Sequence, residues 1–505
     1  MPERQKIEYG DFQTPDALAI QVVSLLQQHQ EFSPHVVVEP TCGVGSFVQA
    51  SVQAFQNIPH YYAFDINATY LHHLHTALVN TGTNGNVNII CQDFFTYDWL
   101  RFFHDIGPQE ILVIGNPPWV TNSALSALKS TNLPAKSNFQ GHKGFDAKTG
   151  KANFDIAEWM LMKLIEGVQG KRACIAMLCK TATARKVLQY AWQQHLSVSE
   201  TSLHRIDAKT HFDVSVDACL FVTHIEKGTP TTHATLYEGL NFTEKASRFG
   251  LYQNELIANL EEYQQFHSFR GTSPYTWRSG VKHDAAKVME LTKHGEHFTN
   301  GFGDPVEVES TCVFPLLKSS DIGNNRLSPR KYVLVTQHQV GESTKSMRIL
   351  APNTWEYLLR YAHILDRRKS SIYRQRPRFS MFGIGEYSFA PWKVAISGMY
   401  KSIQFMVIGA VSQKPIMVDD TCYFIPCSTR EEAVFIAKLL NSEVCQRFLR
   451  SLIFFDAKRP ITKDILQRID LHEIAKFYHL EHEAATFFYE KEQKETIGQV
   501  SFSFV

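Results

Sequence analysis

Between residues 36 and 225, short and almost unbroken apolar runs alternate with segments of helical periodicity, and this alternation restricts the fold more than any other feature of the chain. VVVE (36–39), HYYAFDI (60–66), VNIICQD (87–93), EILVIGNPP (110–118), RACIAMLCK (172–180), TSLHRI (201–206) and DACLFVTHI (217–225) read as strands. GSFVQASVQAF (45–55), ATYLHHLHTALVN (68–80), IAEWMLMKLIEGV (156–168) and ARKVLQYAWQQH (184–195) read as helices. Strands that are apolar throughout are buried on both faces. The expected architecture is therefore α/β, with a mostly parallel, twisted, Rossmann-like sheet covered by helices. In such sheets ligands lie beyond the carboxyl ends of the strands, so chemically active residues should follow strands.

They do. Glu39-Pro40-Thr41-Cys42-Gly43-Val44-Gly45 follows the first strand, Asp65-Ile66 ends the second, Asp93-Phe94 the third and Asn116-Pro117-Pro118-Trp119 the fourth. Gly43 and Gly45 permit a tight turn and close approach of backbone to a ligand. An acid about 20 residues beyond such a loop can grip ribose hydroxyls. Singly, each piece has an ordinary explanation. A G-x-G after a strand is common, and Asp65 and Asp93 each suit a helix N-cap, the latter for FFTYDWLRFF. Together and in this order they are far more specific. Val48 stands where a dinucleotide-binding G-x-G-x-x-G has its third glycine, and Glu39 would repel a pyrophosphate. A cationic or zwitterionic ligand such as S-adenosyl-L-methionine fits better.

Composition narrows the class. The 505 residues predict two to four domains, and 44% apolar with 20% charged residues is ordinary globular usage. No apolar run reaches the roughly 20 residues that cross a bilayer. MPERQKIEYG lacks the apolar core of a secretory signal, so neither a membrane nor a secreted protein is expected. The nine cysteines form no CxxC pair and several sit in apolar runs, which predicts small buried thiols in a reducing cytoplasm and no metal. Residues 1–240 carry 17 basic and 21 acidic side chains, whereas residues 241–505 carry 34 and 29. Residues 326–378 hold twelve basic and three acidic ones, interleaved with aromatics and densest at RRKSSIYRQRPR (367–378). This stripe suits a polyanion or, equally, a solvated basic helix face.

At these residues the chain resembles the S-adenosylmethionine-dependent amino-methyltransferases of DNA, and more narrowly the gamma class of adenine-N6 enzymes of restriction–modification type, over about residues 9–225. Asn116-Pro117-Pro118-Trp119 is similar to the family's (N/D/S)-P-P-(Y/F/W) signature, with tryptophan in place of the more usual tyrosine. Glu39, Pro40, Thr41, Cys42, Gly43 and Gly45 match its cofactor loop, Asp65 with Ile66 its ribose site, and Asp93-Phe94 its adenine site. Gly10-Asp11-Phe12-Gln13-Thr14-Pro15 resembles the motif that covers the methionine part, and its place before the glycine loop marks the gamma order. Asn153-Phe154-Asp155 is a weaker match to a cofactor-side motif, and Phe212 to an aromatic that packs on the extruded base.

The resemblance implies a mechanism. Asn116 and the Pro117 carbonyl accept the two amine hydrogens of the target base, Pro118 and Pro117 keep the acceptors rigid, Trp119 offers a π-face to the base and Phe212 closes its edge. It also implies duplex DNA as partner, a cognate restriction endonuclease as a separate protein, and a monomer in the cytoplasm. The polar stretch 120–152, with Lys129 and Lys143 among five lysines and one acid, reads as a loop that orders on DNA or as a plain surface insertion. Arg367, Arg368, Lys369, Arg374, Arg376 and Arg378 are expected to grip phosphate. Cytosine-N4 methylation remains an alternative, as do the RNA and protein-glutamine methyltransferases that share the NPP signature. These last lack a large C-terminal reader and the N-terminal Thr-Pro motif. No P-D…(D/E)-x-K nuclease arrangement is visible, and the intact NPPW argues against an inactive binding module.

The boundary is expected between 225 and 280 and is drawn at 240, giving a catalytic domain over 1–240 and a mixed α+β target-recognition domain over 241–505. WRSGVKHDAAKVMEL (277–291) resembles the opening of such a reader and SLIFFDAKRPITKDIL (451–466) its ending. AISGMYKSIQFMVIG (395–409) and TCYFIPC (421–427) read as strands, and residues 430–452 as one amphipathic helix.

Overall fold

In the computed structural model, which describes residues 12–28, 33–55, 58–83, 86–120, 155–225 and 230–488, the expected sheet is present. Its strands are β1 (Val36–Glu39), β2 (His60–Asp65), β3 (Val87–Cys91), β4 (Ile111–Gly115), β5 (Ala173–Lys180), β6 (Ser199–Ile206), β7 (Ala218–Ile225), β8 (His233–Tyr237), β9 (Lys245–Tyr252) and β10 (Glu255–Ile257). They lie in the order β10-β9-β8-β6-β7-β5-β4-β1-β2-β3. Every residue of β1, β4 and β7 is buried, which is why these strands read as continuous apolar runs. β1 pairs in parallel with both β2 and β4, and β2–β3 and β4–β5 continue the parallel arrangement. β7 is inserted antiparallel between β5 and β6. The chain turns to opposite sides of β1 to make β2 and β4, and the crevice this opens is where an α/β sheet binds ligands.

Helices α1 (Asp16–Gln28) and α2 (Ser46–Ala54) cover this sheet, joining Leu18, Val22, Leu25 and Phe47 to Val37, Leu112, Ile114 and Leu220 in one core. A second cluster packs Leu71, Leu74 and Leu78 of α3 (Ala68–Thr81) on Cys42, Val48 and Ala63. Neither α1 nor β8–β10 was expected. The periodicity of α1 is legible, whereas β8 buries only Ala234 and offers little pattern. Because β8, β9 and β10 extend the first sheet, the first unit runs to Glu261 and the second from Glu262, twenty-one residues beyond the boundary drawn from sequence.

The second unit is mixed α+β. One sheet has the order β11 (Arg278–Ser279), β20 (Cys422–Cys427), β17 (Trp392–Ser397), β18 (Met406–Gly409), all antiparallel. The other runs β14 (Pro305–Val306), β13 (His297–Thr299), β12 (Glu290–His294), β16 (Lys331–Leu334), β15 (Val313–Leu317), β19 (Met417–Val418). The expected strand over 395–409 is in fact the antiparallel pair β17–β18. The expected single helix over 430–452 is two, α4 (Arg430–Leu440) and α5 (Glu443–Leu452). One residue, Asn441, bears on both corrections. Its side chain bonds the backbone of Phe405 twice, Oδ1 accepting at 3.0 Å and Nδ2 donating at 2.8 Å, which ties the helix break to the start of β18. Gln467 joins the reader-like opening to its ending by accepting from the Trp277 N–H at 3.3 Å and donating to the Tyr275 carbonyl at 3.2 Å. Lys393 of β17 is buried, its Nζ donating to the Ala390 carbonyl at 2.8 Å, and no ion pair forms there.

Candidate active site

A cavity of about 1020 Å3, measured out to its open mouth, lies at the carboxyl ends of β1, β2, β3 and β4. Thr14, Glu39, Pro40, Thr41, Cys42, Gly43, Asp65, Ile66, Asp93, Phe94, Asn116 and Pro118 line it, while Gly45, Pro117, Trp119 and Phe212 do not. Gly43 has φ 53° and Gly45, at the N-terminus of α2, φ 86°. A Cβ on Gly45 would come within 2.3 Å of Leu74, so both conformation and space require glycine there. The backbone N–H of Gly43 donates to Asp65 Oδ2 at 2.8 Å, and that of Asn67 to Oδ1 at 2.7 Å. Asp65 thus braces the glycine loop. Asn67, and not Asp65, caps α3 by accepting from the Thr69 N–H. Asp93 likewise accepts from the Phe95 N–H at 2.9 Å, and the following helix begins at Trp99 under an Asp98 cap.

The segment before α1 is fastened across the loop. Gln13 Oε1 accepts from the Val44 N–H at 3.1 Å, and Ser46 Oγ contacts the Thr14 carbonyl at 2.9 Å and Asp16 at 2.7 Å. Asn116 Nδ2 donates to the Phe12 carbonyl at 3.0 Å. That bond fixes the amide, because the opposite orientation would set oxygen against oxygen. Among the described residues, Asn116 Oδ1 is then buried without a hydrogen-bond partner, as is Thr41 Oγ1 in the same cavity. Buried polar atoms are rarely left unpaired, and those that are call for an explanation.

Glu39 is buried, with Oε2 accepting from the Val48 N–H at 3.0 Å. Burial raises its pKa well above the usual carboxylate range, the Val48 hydrogen bond opposes this, and the nearby Asp65 raises it further. Burial, Glu39 and Asp65 push the Cys42 thiol up as well, so it stays protonated. Two adjacent acids in an open-mouthed cavity suit a cationic ligand. The donor set thus fits the ammonium, ribose and sulfonium of S-adenosylmethionine.

Trp119 is buried. Its ring lies 5.1 Å from Phe212 and 6.1 Å from Phe12, and its Nε1 faces the Leu178 carbonyl at 3.4 Å. Lys180, at the end of β5, holds the other side of this residue. Its Nζ donates to the Trp119 carbonyl at 3.0 Å and pairs with Asp155 Oδ2 at 2.5 Å. Asp155 caps the helix Ile156–Gly167, and the Ile156 N–H donates to the Val120 carbonyl at 2.9 Å. Sequence reasoning passed over Lys180, although the strand-end rule that found the other residues points to it equally. It also passed over Asn67, Tyr70 and Gln92, each near a recognised acid, and Ile156 and Met160, which share one helix face. Gly10, Asp11, Lys129, Lys143, Asn153 and Phe154 lie outside the described residues.

In the second unit the densest part of the basic stripe is not a helix face. Residues 367–378 run through turns and the short 3₁₀ segment Ser371–Tyr373. Arg367, Lys369, Arg374 and Arg376 are exposed. Arg368 is committed inward, donating to the carbonyls of Leu365, His283 and Ser380 and lying 3.7 Å over Tyr373. Arg378 is paired with Asp366 at 2.7 Å. Among the described residues no cluster of His, Cys, Asp and Glu is placed to hold a metal, and no helix is long and apolar enough to cross a membrane. All nine cysteines are free, seven of them buried and Cys91 exposed.

Comparison with known proteins agrees with this geometry. The chain is 42% identical over 476 residues to the type II methyltransferase M.NspV of Nostoc sp., covering 94% of this chain and 98% of the relative. Among solved structures, that of the type IIL restriction–modification enzyme MmeI in complex with DNA matches with a TM-score of 0.56 at 13% identity, over 98% of this chain and 80% of that one. No protein-family model matches.

Proposed function

Because the chain belongs to the type II DNA methyltransferases of restriction–modification systems, we propose that it methylates the N6 amine of an adenine swung out of duplex DNA. S-adenosylmethionine supplies a methyl group on a positively charged sulfur. The observation that carries the reading is the buried, unpartnered Oδ1 of Asn116, held in orientation by the Nδ2 bond to Phe12. An exocyclic amine is a poor nucleophile because its lone pair is delocalised into the ring. Asn116 Oδ1 accepts one N–H and the Pro117 carbonyl the other, which draws the nitrogen toward tetrahedral geometry and localises the pair. The Asn116 acceptor is held by its bond to Phe12 before the substrate arrives, so little reorganisation remains there for the reacting moment. The nitrogen forms the new C–N bond as the methyl carbon–sulfur bond breaks, the electron pair of that bond staying on what becomes a neutral thioether, and the nitrogen sheds one proton to solvent.

Around this centre, Glu39 and Asp65 face the cationic and hydroxyl parts of the cofactor, Thr41 Oγ1 supplies a further polar contact, and Phe94 walls the adenine side. Trp119 and Phe212 form the aromatic floor on which the extruded base rests. The second unit is the target reader, and Arg367, Lys369, Arg374 and Arg376 bind phosphate. The chain acts as a monomer, and the matching endonuclease is a separate protein. Incubation with labelled S-adenosylmethionine and duplex DNA, followed by digestion to nucleosides, tests the reading. N6-methyladenine is expected. N4-methylcytosine, or label in RNA or protein instead of DNA, overturns it.

A further inference from the structure

Ile349 and Leu350 are the two most exposed large apolar side chains among the described residues, at 86% and 75%. They are consecutive, and they lie inside the most basic stretch of the chain. Their exposure follows from local geometry. The four-residue helix Met347–Leu350 turns Met347 into the core beside Ala351 and Trp355, and Arg348 lies 5.0 Å over the Trp355 ring. One turn cannot bury the remaining two residues. The same segment is bound to the basic stripe: Thr344 Oγ1 donates to the Arg378 carbonyl at 2.6 Å, and Trp355 meets Phe379 edge-on at 5.2 Å. A Cβ on Gly341 would lie 3.5 Å from Arg376 Nη1. Lys345 and Arg348 stand within five residues of the pair in sequence, and Arg376 lies beside Gly341. The nearby Glu342 is occupied, its Oε2 accepting from the backbone N–H groups of His338 and Gln339.

We propose that Ile349 and Leu350 form an apolar wedge that enters duplex DNA at a base step, while Lys345, Arg348 and Arg376 hold the flanking phosphates. Two bare aliphatic side chains inside a stretch of twelve basic and three acidic residues suit a partner that is anionic at its edge and apolar between its base faces. An apolar protein surface would leave those cations unmatched. Inserted aliphatic side chains unstack a step and kink the duplex, and local phosphate contacts offset the cost. The inference rests on the DNA reading above.

The test uses full-length wild-type and Ile349→Ala/Leu350→Ala proteins on target duplexes carrying 2-aminopurine at each position in turn. With the wild type, fluorescence should rise at one further step of the duplex, on whichever flank the wedge enters, as well as at the target itself. The double variant should lose the flanking signal and bind the target duplex about tenfold more weakly. Its cofactor affinity and molar mass in solution should be unchanged. Unaltered target binding, or an altered molar mass with DNA affinity intact, overturns the wedge, the latter assigning the pair to a contact between copies. A wild type that methylates no duplex overturns the DNA reading and the wedge with it, and that outcome is seen before any variant is made.

Discussion

Each unit buries an ionisable side chain that forms no ion pair among the described residues, and the two are not alike. Glu39 stands at a strand end, on the wall of an open-mouthed cavity, beside a second acid. Lys393 stands within a β-sheet, 5.6 Å from the face of the Phe424 ring, with one carbonyl to satisfy it, and burial lowers its pKa to about 7. The first has somewhere for an opposite charge to go and the second does not. Burying a charge is therefore not by itself a sign of function; what separates the two is adjacent space and further unpaired polar atoms aimed into it.

The sharpest break of this contrast is Asn116→Ala. Removing a preorganised acceptor should lower kcat by about 10²–10³-fold, measured under single turnover, while cofactor affinity holds. An unchanged kcat would remove Asn116 from the chemistry. Glu39→Gln comes next. It keeps the bond from Val48 but loses the charge, and calorimetry should show cofactor binding weakened about 10–100-fold. In the ligand-free chain the sign is opposite. Burial raises the Glu39 pKa, so the folded state keeps a proton that the unfolded state releases, and stability falls as pH rises from the ordinary carboxylate range toward the raised value. The variant should lose that dependence and melt higher at neutral pH.

Lys180→Met should cost about tenfold in kcat by freeing the Trp119 carbonyl, with cofactor binding intact and partial rescue by Lys180→Arg. Lys393→Met should do the reverse of a functional lesion. The unfolded lysine binds its proton up to about pH 10.4 and the folded one only up to about 7, so the native side chain destabilises most below pH 7 and progressively less through that window. The variant should raise Tm by several degrees at pH 7, with the gain vanishing near pH 10 and methylation unchanged. The smallest effect is expected at the stripe. Arg374→Ala should reduce the salt slope of DNA binding by about one without changing sequence preference, whereas Arg368→Ala, which strips three carbonyls of their donor, should lower stability instead.

The first unit was legible because its site is built where the backbone dictates. A strand that must be buried on both faces announces itself, and the residue after it is placed by topology before its chemistry is considered. Glu39, Asp65, Asp93 and Asn116 were found in that way, and Lys180 was open to the same reasoning. Trp119 was legible as an aromatic but not as a buried one, since its neighbours Phe12 and Phe212 lie 107 and 93 positions away along the chain. The second unit depends on such distant contacts throughout. Nothing local distinguishes Arg368, turned inward over Tyr373, from Arg367, turned out. Nor does the apolar pattern of 430–452 reveal that Asn441 is needed elsewhere to hold Phe405.

The backbone leaves the NPPW turn at Val120 and is back beside it at Ile156, the two joined at 2.9 Å and locked by Lys180 and Asp155. These four residues close the ring on the side that the structure describes. For a flexible insert, each doubling of length adds only about 0.6 kcal/mol to the entropy of closing the ring. A change in the number of intervening residues therefore carries a small entropic cost of closure, while the amide and imide a few residues upstream are held by contacts outside that stretch.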